Sequence, residues 1–166
     1  LRTRATIAGI DPERILFSGR VDPAEYMARL ALPDLFLDTS PYNAGTIASD
    51  AIRMGLPMVT LSGESFASRM AGRLLLAIGA TAGITETLDA YVEAAVSLAT
   101  NAPMLAEYRS LFNEANWAAT IGDIATFTYH YEESLIQIDQ ARQAQHNANS
   151  ETEFSEEPAL EEAAAA

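Results

Sequence analysis

DLFLDTSPYNAGTIASDAIRMGLPMVTLSG, residues Asp34 to Gly63, reads as strand, loop, helix, turn and strand. Leu35, Phe36 and Leu37 form a short apolar run that ends at Asp38. A loop rich in turn residues follows, from Thr39 to Gly45, and Thr46 opens a helix predicted to reach Met54. Gly55 stands where a helix ends on a left-handed residue, and Pro57 where a helix cannot continue. Met58 to Leu61 supplies the next strand. The unit is a candidate anion site. A helix start offers unpaired N–H groups and the positive end of the macrodipole. Gly45 lets a ligand come close to the backbone. A diphosphate placed there would meet the amides of Gly45 and Thr46 and the Thr46 hydroxyl. Asp50, one turn further along the same face, suits a ribose or sugar hydroxyl, or orients the loop. The competing reading is an ordinary strand–loop–helix connection with Thr46 as its N-cap.

Upstream of this unit, Leu1 to Gly9 reads as the end of a helix stopped at Gly9. Arg14 to Phe17 reads as a strand, its successive apolar residues suiting a parallel strand buried on both faces. Ser18 to Val21 forms the loop at its C-terminal end, the side on which open α/β sheets bind ligands. Asp22 then caps a helix, with Pro23 at its first position and Glu25 at the third, as in a capping box.

Downstream, Gly63 to Arg69 is a loop entering a helix that Ser65 would cap. Met70, Leu74, Leu75 and Ile78 recur at helical spacing as core, and Gly79 ends that helix. Ala80 to Glu86 is a short connection, and a helix follows to about Thr100. Pro103 sits at the start of the next helix. Asn113 to Asp123 is irregular or a helix remnant and carries the single tryptophan, Trp117, expected to be buried. From Ile124 a long helix carries Phe127, Tyr131, Leu135 and Ile138 on one face. The pattern as a whole predicts an α/β fold with a parallel, Rossmann-like sheet and C-terminal helices.

Four blocks resemble one family. They are Arg14 to Val21, Tyr42 to Asp50, Met54 to Thr60 and Gly63 to Arg69, in that order. They are similar to the O-GlcNAc transferase and SPINDLY-type enzymes of glycosyltransferase family 41, and the resemblance runs from about Leu1 to Ala141. It implies the C-terminal lobe of a two-lobed (GT-B) glycosyltransferase, moving N-acetylglucosamine from UDP-GlcNAc to protein serine or threonine. It also implies a missing upstream lobe, the strand and lysine before Leu1, and tetratricopeptide repeats, so that this segment alone would be inactive. On the nucleotide side it places the Val21–Pro23 loop against uracil and ribose, Tyr26 near the nucleotide and Arg29 facing the diphosphate. The donor loop it implies comprises Asn43, Ala44, Gly45, Thr46 and Ile47, with Asp50 behind it. Two departures stand out. Animal members have His-Thr-Thr where this chain has Gly45-Thr46-Ile47, and many members have histidine at the Tyr26 position. Residue by residue, alternatives stay open: Tyr26 stacks on a base or is an ordinary amphipathic position, and Arg29 and Arg69 meet ligand or water. So do two alternative functions, a GDP-fucose-dependent protein fucosyltransferase and a non-catalytic remnant that serves as an interaction module.

Composition narrows the partners. The 166 residues carry a net charge of −13, which argues against nucleic acid and anionic membrane. Six glutamates from Glu151 to Glu162 supply part of it, leaving about −7 elsewhere, and residues 144–166 read as a disordered acidic tail behind a 1–143 nucleotide-sugar-binding lobe. All ten basic residues are arginine, so any phosphate must be held by arginine or by backbone amides. There is no cysteine, there are only two histidines, His130 and His146, and there is no Asp-x-Asp motif; neither a metal nor a cofactor is expected. No apolar run approaches the roughly 20 residues that span a bilayer, and no leader is visible, so the cytoplasm is the expected compartment. No residue is assignable as general base, His130 being an ordinary helix residue.

Overall fold

The computed structural model describes the backbone of residues 1–164 and the side chains of residues 1–147. The chain divides after Thr120 into two units. In the first, helix α1 (Arg2–Ile7) leads through a 3-10 turn (Pro12–Arg14) to α2 (Pro23–Leu30), strand β1 (Phe36–Leu37), α3 (Thr46–Arg53) and β2 (Met58–Leu61). Then come α4 (Met70–Ala77), a 3-10 turn (Thr81–Gly83), β3 (Ile84–Thr85), α5 (Leu88–Thr100), α6 (Ala102–Arg109) and α7 (Glu114–Ala119). The three strands form a parallel sheet in the order β1-β2-β3. Phe36 pairs with Met58 and Leu37 with Val59 on one side of β2, and Thr60 with Ile84 and Leu61 with Thr85 on the other.

The core forms where the central strand meets its helices. Met58, Val59 and Thr60 are fully buried, and Ala48, Ala51 and Ile52 of α3 and Ala71 and Leu75 of α4 pack with them. Small alanines on α3 and α4 let both helices approach the sheet closely. Leu98, Tyr108 and Phe112 close the other side, with Tyr108 and Phe112 edge to face at 5.1 Å. The Tyr108 hydroxyl lies 2.9 Å from the Met58 carbonyl and 3.3 Å from that of Ala80. Burial pushes that phenol well above its usual pKa.

Local signals explain most boundaries. Asp22 accepts from the Glu25 amide at 3.0 Å, with Pro23 next to it, as the sequence predicts. Gly55 has φ +80°, and two bonds close the end of α3: the Gly55 amide to Ile52 O at 3.2 Å and the Leu56 amide to Ala51 O at 2.9 Å. Gly79 repeats the arrangement at the end of α4, with φ +78°.

Several expectations need correction. Arg14–Phe17 is not a strand: Arg14 ends a 3-10 turn, and Leu16 and Phe17 are exposed. Ile15 is extended, but its carbonyl accepts from the Arg2 side chain at 3.2 Å and not from a neighbouring strand. A strand is made by its partner, and β1 pairs only with β2 among the described residues. The Ala80–Glu86 connection contains the short strand β3. Ser65 does not cap α4. Its hydroxyl accepts from the Ser68 amide at 3.2 Å within the preceding turn, and Arg69 takes the N-cap position. Trp117 is half-buried, its Nε1 donating to Ser49 Oγ at 2.8 Å and its ring facing the Arg53 guanidinium at 5.1 Å.

The second unit contains α8 (Ile124–Ala164). The helix passes residue 143, the boundary expected from the sequence, and runs to Ala164. Glutamate and alanine are the commonest residues of 144–164, and both are strong helix formers. Residues 165 and 166 lie outside the described residues. Phe127 and Tyr131 stack at 6.0 Å on an exposed face of this helix. Among the described residues no helix is long and apolar enough to cross a membrane.

Asp123 starts α8. It accepts from the Thr126 amide at 3.0 Å, and that bond holds its carboxyl below the ordinary aspartate pKa. A depressed folded-state pKa contributes stability above the unfolded value and loses it as pH falls through the folded one. The first turn of α8 is therefore expected to fray only below pH ~4, the ordinary aspartate range. The Thr126 amide chemical shift, followed against pH, should report that transition, and Asp123→Asn should remove it.

Candidate functional site

The loop between β1 and α3 is organised by a residue the sequence reading passed over. Asp38, the last residue before the loop, is buried. Its Oδ1 accepts from the Thr39 amide and from the Ala44 amide, each at 2.8 Å, and its Oδ2 accepts from the Thr60 hydroxyl at 2.6 Å. Its own amide bonds Val59 O at 3.0 Å, and its carbonyl accepts from the Tyr91 hydroxyl at 3.0 Å. One carboxylate thus ties the start and end of the loop to the central strand, and Tyr91 of α5 holds the backbone carbonyl of the same residue. Burial, followed by the charge of Asp38, raises the Tyr91 pKa.

Asn43 makes the second brace. It is fully buried; its Nδ2 donates to Thr39 O at 2.9 Å and Leu61 O at 3.3 Å, and its amide donates to Ala67 O at 2.9 Å. The side-chain amide is spent on the loop, while Oδ1 has no partner. Ala44 has its N–H on Asp38. The next residues are different. Gly45 is the N-cap of α3, and no side chain caps the helix, so the amides of its first turn have no side-chain acceptor. Thr46 and Ile47 are exposed there. Thr46 is the first helical residue and not the cap, contrary to the ordinary-connection reading. A Cβ on Gly45 would come within 2.9 Å of Met70 Cε, the mobile end of a flexible side chain.

Val21, Pro23, Tyr26 and Arg29 line one cavity of about 1030 Å³, together with Leu16 and Arg20 among others. Asn43 to Ile47 do not line it. The link between the two groups is the packing of α2 on α3, where the Asp50 carboxylate acts on Tyr26. Burial first, and the Asp50 charge second, raises the Tyr26 pKa, and the Tyr26 hydroxyl has no hydrogen-bond partner. Arg29 is fully engaged: Nη2 pairs with Glu25 Oε1 at 2.7 Å and Nη1 donates to Gly19 O at 3.0 Å. Arg69 lies apart, in a crevice of about 520 Å³ past the C-terminal ends of β2 and β3, which also holds Arg73, Glu64 and Glu86.

Chemically, this is a rigid loop delivering an uncapped helix start, with a carboxylate one turn behind it. Such a start favours negative charge. Among the described residues no group of three or more histidines, aspartates and glutamates could hold a metal ion. Asp38, Thr60 and Tyr91 are the loop-bracing residues that sequence reading missed. The available signal was an acid at the C-terminal end of a strand, where α/β sheets place their working residues.

Comparison with known proteins gives a consistent result. The model of the family described as Glycosyl transferase family 41 matches residues 1–131. A UDP-N-acetylglucosamine--peptide N-acetylglucosaminyltransferase of Caenorhabditis elegans is 37% identical over 130 residues, covering 78% of this chain and 11% of the relative. The probable enzyme SEC of Arabidopsis thaliana, of the same description, is 34% identical over 138 residues, covering 82% of this chain and 14% of the relative. Among solved structures, a mutant of the Thermobaculum terrenum O-GlcNAc transferase superposes with a TM-score of 0.71 at 27% identity, covering 80% of this chain and 26% of that one. The chain therefore spans about a ninth to a seventh of the length of these curated relatives.

Proposed function

The chain belongs to glycosyltransferase family 41, and from that premise we propose that it is the donor-binding part of a protein O-GlcNAc transferase. The whole enzyme would move N-acetylglucosamine from UDP-GlcNAc to serine or threonine of an acceptor protein. The observation that carries this reading is the braced loop ending in an uncapped helix: Asp38 and Asn43 spend themselves on the loop, and the first-turn amides of α3 remain for a ligand. In sugar transfer the leaving diphosphate gains charge as the glycosidic bond breaks, and fixed N–H donors stabilise that charge without reorganising. The Gly45, Thr46 and Ile47 amides and the Thr46 hydroxyl take that role. Asp50, with Tyr26 beside it, hydrogen-bonds a ribose or sugar hydroxyl. No metal is needed for these steps. The acceptor and the general base belong to an upstream lobe, with tetratricopeptide repeats ahead of it, and the reaction belongs in the cytoplasm.

Calorimetric titration with UDP, with GDP as control, tests the reading. UDP is expected to bind more tightly than GDP, and Thr46→Ala and Asp50→Ala are each expected to weaken UDP by about tenfold, the worth of one or two hydrogen bonds to a charged ligand. A folded protein that gives no heat with UDP, or variants that keep full affinity, would sink it.

A further inference from the structure

The start of α3 has no cap from its own residues, so the side chain that stands beside it decides what it can bind. Gly45 carries no side chain. Within 4 Å of the point where a Cβ on it would sit, the only described atoms outside its two chain neighbours are Met70 Cε, at 2.9 Å, and Met70 Sδ, at 3.7 Å. Met70 is the first residue of α4 and is half-buried. Backbone bonds fix its approach. The turn that leads into α4 is closed on itself by the Gly63 amide to Ser68 O at 2.9 Å, and it is bound to the β1–α3 loop by the Asn43 amide to Ala67 O, also at 2.9 Å. Gly72 then brings α4 against the end of β2, since a Cβ there would meet Ser62 Oγ at 2.7 Å.

A hydroxyl, amide or carboxylate in the place of that thioether would accept from the first-turn amides and close the helix start. A thioether sulfur is a weak acceptor, and the methyl that comes nearest to Gly45 accepts nothing. The amides at the start of α3 therefore stay unspent beside an apolar tip. That tip is unbranched and adaptable, so it shifts to fit a ligand more readily than a branched side chain would. Apolar cover also lowers the local dielectric, and each N–H then counts for more against a negative charge.

We propose that Met70 is a specificity-determining residue of the anion site at the start of α3: its uncharged thioether tip leaves the first-turn amides open to the phosphates of a nucleoside diphosphate and shields them from water. The proposal rests on the donor-binding reading and adds to that site a residue from a second helix, which the contact at Gly45 places there.

The test is calorimetric titration of the protein and its variants with UDP and with uridine, beside melting curves. Met70→Glu puts an acceptor and a negative charge next to Gly45. It is expected to weaken UDP by about tenfold or more and uridine by less than about twofold, since uridine carries no phosphate. An acid in the first turn of α4 also suits that helix, so the melting temperature should not fall. Met70→Lys should move UDP the other way, strengthening it by about threefold or more, at a small cost in melting temperature. Met70→Leu keeps the apolar cover and should stay within about twofold of the unmodified protein. Ala77→Glu, at the exposed far end of α4 and about two turns from Met70, controls for charge acting at a distance and should change UDP by less than about twofold. UDP affinity indifferent to charge at residue 70, an equal loss for uridine, or an equal loss in Ala77→Glu would each overturn the assignment. Equal losses in Met70→Glu and Met70→Lys would also overturn it, reducing Met70 to packing. All of these results leave UDP binding by the unmodified protein intact; if that binding is itself missing, the donor-binding reading fails, and this assignment with it.

Discussion

Gly83→Ala is expected to be the most damaging single substitution in the chain, lowering stability by about 3 kcal/mol or more and the melting temperature by roughly 6 °C or more. Gly83 is buried at the end of the 3-10 turn that leads into β3. A Cβ there would collide with the Tyr108 hydroxyl and with the Met58 backbone carbonyl. The first obstacle is a side-chain atom, but that hydroxyl is held between the Met58 and Ala80 carbonyls in the core. The second is backbone of the central strand and has nowhere to go. Thermal melts of Gly83→Ala and of the double variant with Tyr108→Phe separate the two. Removing the hydroxyl should recover only part of the loss, because the carbonyl clash persists. Full recovery would mean that the strand backbone yields, contrary to its fully buried packing.

Asp38→Ala is the second. It would leave the Thr39 and Ala44 amides and the Thr60 hydroxyl without their acceptor. A buried donor left unpaired costs about 1–3 kcal/mol, so the expected loss is about 3 kcal/mol in total, less whatever water recovers. The functional loss should be larger than the structural one, because the loop is released from β2 and with it the start of α3. UDP affinity is expected to fall more than tenfold at a temperature where the protein is still folded. Asp38→Asn should be milder, since one amide oxygen can still accept from both loop N–H groups while the NH₂ faces the Thr60 hydroxyl. Thr60→Val removes only the bond to Oδ2 and should cost about 1 kcal/mol with little change in UDP binding. Equal affinities in Asp38→Ala and the unmodified protein would show that the loop is held by Asn43 alone.

What could be read from the sequence follows from the range of the interactions. The ends of α3 and α4 were legible because Gly55 and Gly79 act on bonds within six residues of themselves. The start of α2 was legible for the same reason, in Asp22, Pro23 and Glu25. Arg14–Phe17 was misread because a continuous apolar run states hydrophobicity and not pairing, and no strand bonds to it among the described residues. Ile84–Thr85 is too short for any periodicity, and only its register with Thr60 and Leu61 makes it a strand. In the site, the helix start and its family were legible from Tyr42 to Asp50. The role of Asp38 was not, because its partners Thr60 and Tyr91 lie 22 and 53 residues away along the chain. The two bonds of Arg29, to the Glu25 carboxylate and to the Gly19 carbonyl, emerge only in the structure.

The split between the two oxygens of Asp38 bears on what binding costs. Oδ1 holds the loop amides and Oδ2 holds the central strand, so the loop's shape is tied to the buried strand at the middle of the sheet and is formed without any ligand. On the donor-binding reading, an incoming nucleotide would not have to pay in ordering entropy for the loop it touches, and each contact made there would count nearly in full toward affinity. Preorganisation of this kind places the cost at folding, once per molecule, and not at each binding event.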